Sequence, residues 1–226
     1  MHLKFVLFMM RYNINMYNDK AMKMKLIEAV FCILYLLFAF TAAVIFLFRK
    51  DMLCSIMTFF LAGGDAFHLV PRIRIALRGP GPHDKKDLGL GNLVSSITMT
   101  LFYVFLYLVM KERHPAVIVP SFIFPLILIM AIVRICLCLF PQNDWFRKQD
   151  RENSWHIYRN IPFIVIGIFT IYYLAFCYRQ YLMAVLVLLS FIFYMGTVLF
   201  ARKNPKMGML MMPKTICYIW LIALFL

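Results

Sequence analysis

Seven apolar stretches follow one another along this chain, at 26–48, 52–71, 91–110, 116–140, 159–178, 181–201 and 207–226. A helix rises 1.5 Å per residue, so roughly twenty residues cross about 30 Å of hydrocarbon. Lipid offers the backbone no hydrogen-bond partners, and a run of this kind satisfies its own as a helix. The joints are tight in three places: Arg49-Lys50-Asp51, Lys111 to Pro115, and Tyr178-Arg179-Gln180. Short joints make antiparallel neighbours. The expected fold class is all-α: a polytopic membrane protein, integral to the cell membrane, built as a seven-transmembrane-helix bundle. Residues 1–25 are read as a basic cytoplasmic tail and 26–226 as a single transmembrane domain. Pro71 is expected to end or kink the second helix.

Charge distribution gives this bundle a direction. Only 15% of residues are charged, against roughly 25% in a soluble domain, which leaves too little polar surface for a water-soluble fold. The net charge of +14 sits between the apolar runs. Lys and Arg number 18 in the tail, the 72–90 and 141–159 connections and the 202–214 region, and five in the other hinges. Cytoplasmic loops carry the excess of Lys and Arg, so the N-terminus is placed in the cytoplasm and the last span ends outside. Topology accounts for the basic residues, and nucleic acid is not expected as a partner. The six cysteines lie in or beside apolar runs, and "CLC" at 136–138 lacks metal-ligand spacing. They read as small buried hydrophobes, with no disulfide framework and no metal.

Polar residues in the spans gather at one depth. The stretch "FFLAGGDAFHLVPRIR" (59–74) places Asp65 and His68 on one face of the second run. Asp65 precedes Arg72 by seven residues, about 10 Å of helix. Arg134 precedes Pro141 by the same count in a run travelling the same way. The third run opens with Asn92 and Ser95, the fifth with Asn160, and the seventh holds Tyr218. Ionisable residues within spans face a bundle interior and find partners. A pocket in the cytoplasmic half is expected, with Arg134 as the partner of Asp65. Gly63 and Gly64 are read mainly as packing residues.

The "GDAF" at 64–67, followed by "GLGNLVSSITMTLFYVFLY" at 89–107, resembles the lysoplasmalogenase-like family of small multi-span membrane proteins. The resemblance covers about 50 of the 226 residues. It implies cleavage of a lysophospholipid-like substrate by membrane-embedded carboxylates, with Asp65 matching the first of them. The chain departs from the family pattern in having Thr98 or Thr100 where a histidine is usual, no Asp or Glu after Glu152, and seven spans rather than eight. It also lacks the paired histidines of the seven-span alkaline ceramidase-like superfamily, so no zinc site is expected.

Three functions remain open on this reading. The first is an intramembrane lipid hydrolase without a cofactor. Asp65 and His68 would be catalytic, and Arg134, Asn92, Ser95, Asn160 and Tyr218 would bind substrate. The second is a transporter or sensor of a small anionic or lipidic ligand, with Arg134 holding the anion. The third is a scaffold subunit in which the Asp65–Arg134 pair only orients helices. Membrane lipids are partners in all three, and the oligomeric state is left open.

Overall fold

The computed structural model describes residues 2–146, 155–200 and 205–226. Arg147, Lys148, Arg151, Arg202 and Lys203, counted above on the basic side, lie outside the described residues. Among those described there are eight α-helices and no strand: α1 (His2–Phe48), α2 (Met52–Arg78), α3 (Asp84–Arg113), α4 (Ile123–Leu139), α5 (Trp155–Tyr158), α6 (Ile161–Tyr172), α7 (Tyr181–Phe200) and α8 (Met211–Ala223). A π-helical turn, Tyr173–Cys177, extends α6, and a 3₁₀ turn, Pro205–Leu210, leads into α8. Five segments are long and apolar enough to cross a membrane: Met22–Phe48, Met52–Arg78, Asp84–Arg113, Trp155–Cys177 and Tyr181–Phe200. Ile123–Leu139 and Met207–Ala223 are apolar but shorter.

Prolines explain where two apolar runs shorten or break. The fourth run loses its first residues because Pro120 and Pro125 flank the point where α4 starts, and Pro125 sits in the first turn, where a missing N–H does no harm. Pro162 likewise occupies the start of α6 and separates it from α5. The Asn160 amide fills the gap between these two helices by donating to the His156 carbonyl at 2.7 Å.

Pro71 neither ends nor interrupts α2, contrary to the first of the two expectations above. It lies inside the helix, which continues to Arg78. Proline cannot donate to the carbonyl four residues back, that of Phe67. Gly91 of α3 rests on this carbonyl: a Cβ added at Gly91 would lie 2.4 Å from the Phe67 oxygen and 2.8 Å from the His68 Cα. Thr98 of α3 approaches Gly64 closely enough that a Cβ there would meet its hydroxyl. Two glycines thus bring α2 and α3 together along the most extensive helix contact in the fold. Gly63 has open space around it and is not part of this seam.

The opposite end of the bundle is tied by Asp51, the N-cap of α2. Its carboxylate accepts from the Cys54 N–H at 3.1 Å and from Arg113 Nη2 at 2.7 Å. Partial burial pushes the Asp51 carboxyl up, but Arg113 and the Cys54 N–H outweigh this and hold it below the usual carboxylate range. A folded-state value below the unfolded one means that the tie stabilises fully at neutral pH and is lost as the pH falls through the folded value. Melting temperature should therefore drop more steeply below about pH 4 in the wild type than in Asp51→Asn. Parallel pH profiles for the two proteins would show that this tie contributes nothing.

Candidate functional site

A cavity of about 370 Å³ lies among α2 to α8, at the low end of the range for small-molecule sites. Each helix contributes for a local reason. His68 and Arg72 are four residues apart on α2 and share a face because the helix continues through Pro71. Asn92, Ser95 and Ser96 come from the third and fourth turns of α3. Arg134 projects from α4 and Lys214 from α8, and Tyr194 and Thr197 come from α7. None of the lining residues is a carboxylate.

The basic side chains differ in what holds them. Arg72 Nη2 donates to Glu28 Oε1 of α1 at 2.5 Å. Arg159 Nη1 donates to Asn143 Oδ1 at 2.9 Å, and its guanidinium lies 4.1 Å from the Trp145 ring centroid. Arg134 is different. It is 1% exposed, its Cζ stands 3.3 Å from the centroid of the Phe163 ring, and its Nε and Nη1 have no hydrogen-bond partner. An aromatic face attracts a cation, yet it leaves N–H donors unused, and a buried donor without a partner costs about 1–3 kcal/mol or more when charged. Lys214 is 4% exposed, with its ammonium 5.3 Å from the Tyr194 ring and 5.4 Å from that of Tyr218. Neither Arg134 nor Lys214 forms an ion pair among the described residues. His68 faces the cavity with both ring nitrogens buried and unpartnered.

The seven residues singled out from sequence separate into two groups. His68, Arg134, Asn92 and Ser95 meet around the cavity. Asp65, Asn160 and Tyr218 do not line it. Asp65 is buried behind the wall, where its Oδ2 accepts from the Tyr35 hydroxyl of α1 at 2.6 Å. The expected Asp65–Arg134 ion pair is therefore corrected. Tyr35 of α1 and Ser95 of α3 hold the carboxylate instead. Asn160 has both ends of its amide engaged, since Tyr194 donates to its Oδ1 at 2.9 Å while its Nδ2 bridges α5 and α6. The Tyr218 hydroxyl pairs with that of Tyr103 at 3.1 Å, next to Ser190.

Arg72, Lys214 and Tyr194 went unrecognised as site residues in the sequence. One signal was available for Arg72. It follows His68 by one helical turn, so continuing α2 past Pro71 places it on the cavity face. Lys214 was counted only as a flanking topogenic charge. All six cysteines are free, and no cluster of three or more His, Cys, Asp or Glu forms among the described residues. No family model, curated protein or solved structure matches the chain. The resemblance around residues 59–107 rests on the sequence alone.

Proposed function

We propose that this protein is a seven-span bundle of the cell membrane that binds a small anionic ligand in its cytoplasmic half, as a transporter or sensor. The shorter helices α4 and α8 complete the count. Seventeen residues at Ile123–Leu139 reach about 25 Å, and apolar residues precede both helices. The excess of Lys and Arg on one side sets the N-terminus in the cytoplasm.

One observation carries the reading: Arg134, buried in a cavity without carboxylates, keeps two nitrogens unpartnered. A buried guanidinium lacking an anion is strained electrostatically. An anionic ligand removes that strain on binding, and this gives affinity and selectivity in one step. At matched ionic strength, phosphate or sulfate should raise the melting temperature of the detergent-purified protein above its value in chloride. Arg134→Gln and Lys214→Gln should each abolish the difference while remaining monodisperse. Equal melting of the wild type in all three salts would refute anion binding. Uptake into proteoliposomes then separates transport from sensing.

His68 favours a second reading, the lipid hydrolase. Its free ring nitrogens face the cavity and have the reach that proton transfer requires. Asp65 supports this reading less, since it lies behind the wall on Tyr35. Products released from a lysophospholipid by wild type but not by His68→Gln, detected by mass spectrometry, would place hydrolysis ahead of binding alone.

A further inference from the structure

Resting on the anion-binding reading, we infer that the ligand is a phosphate monoester on a polyhydroxy skeleton, such as glycerol or a sugar. Two features of the wall point to it. The first is the placement of cations. Arg134 and Lys214, which form no ion pair among the described residues, line the cavity from α4 and α8, and Arg72, shared with Glu28, lines it from α2. A planar carboxylate has two oxygens and is matched by one edge of one guanidinium. A phosphate monoester offers three terminal oxygens, enough for donors that come from three helices.

The second feature is the state of the hydroxyls. Ser96 Oγ donates to the Asn92 carbonyl at 2.7 Å, and Thr197 Oγ1 donates to the Phe193 carbonyl at 3.0 Å. The Tyr194 hydroxyl is likewise committed, to Asn160. Ser96 and Thr197 thus use their protons within their own helices and keep only acceptor lone pairs for the cavity. Inorganic phosphate at neutral pH carries O–H groups only on the phosphorus itself, so each donor it turns to these hydroxyls is an oxygen withdrawn from the cations. A ligand that also carries O–H groups answers both. A cavity of about 370 Å³ has room for a phosphorylated headgroup. The same chemistry is offered by a free polyol phosphate and by the headgroup of lysophosphatidic acid.

Calorimetric titration of the full-length protein tests this, with glycerol 3-phosphate, glucose 6-phosphate, inorganic phosphate, glycerol and lactate as soluble probes. Nanodiscs with and without lysophosphatidic acid form the lipid arm. The expected result is that a polyol phosphate binds about tenfold more tightly than inorganic phosphate, the effect of two further hydrogen bonds. The Ser96→Ala/Thr197→Val double variant should lose that preference, and Thr197→Ser should retain it. Binding of the soluble esters supports a free metabolite. Binding of lysophosphatidic acid alone supports a lipid source. Inorganic phosphate equal to the esters overturns the inference and leaves anion binding standing, as does lactate binding as tightly as any phosphate. No response to any anion overturns both.

Discussion

Gly91→Ala should cost about 3 kcal/mol of stability, the upper part of the range for overpacking, and lower the melting temperature by roughly 5–10 °C. The added methyl would lie 2.4 Å from the Phe67 oxygen and 2.9 Å from its carbonyl carbon. Both are backbone atoms, so no rotamer change relieves the clash. The α2–α3 seam has to open. Gly63→Ala supplies the control from the same helix pair. It meets nothing within 4 Å, and exchanging glycine for alanine within a helix is worth about 1 kcal/mol in the opposite direction. Thermal melts of the two variants should thus move apart from wild type in opposite directions. Equal melts would show that the seam does not depend on contact between Gly91 and the Phe67 carbonyl.

Tyr35→Phe is expected to lower stability by about 1.5–3 kcal/mol, the range for a hydrogen bond to a charged group. It removes a hydroxyl that donates to Asp65 at 2.6 Å at a position where both residues are buried. Asp65→Asn should be milder, since its amide oxygen still accepts from Tyr35. The decisive comparison is a double-mutant cycle. Tyr35→Phe in an Asp65→Ala background should cost little, because there is no longer an acceptor to strand. Full additivity of the two substitutions would mean that the contact contributes nothing to holding α1 against α2.

Depth was legible in the sequence, and rotation about each helix axis was not. Counting residues from the basic flanks put His68, Asn92, Ser95 and Arg134 in one layer, and they meet around one cavity. The same count put Asp65, Asn160 and Tyr218 in that layer, yet each turns to a neighbour instead. Tyr35 was hidden because an aromatic residue in an apolar run looks like filler until its hydroxyl has a partner on another helix. The passage of α2 through Pro71 was hidden for a related reason. The proline reads locally as a stop, and the glycine that accommodates the freed carbonyl is twenty residues away in sequence. Lys214 carries both a topological and a chemical meaning, and charge counting sees only the first.

The missing backbone bond at Pro71 would span Phe67 to Pro71, the same helical turn that separates the two cavity residues of α2, His68 and Arg72. Flexing the helix at this turn breaks one hydrogen bond fewer than flexing it elsewhere. Any displacement of Arg72 relative to His68 is therefore absorbed at a built-in joint, not spread along the helix. Beyond the joint, Arg74 is fastened to Asp84 and Asp87 at the start of α3. Those two ion pairs tie the last two turns of α2 to the first turn of α3, so the segment beyond the joint is anchored to the neighbouring helix and not left to swing alone.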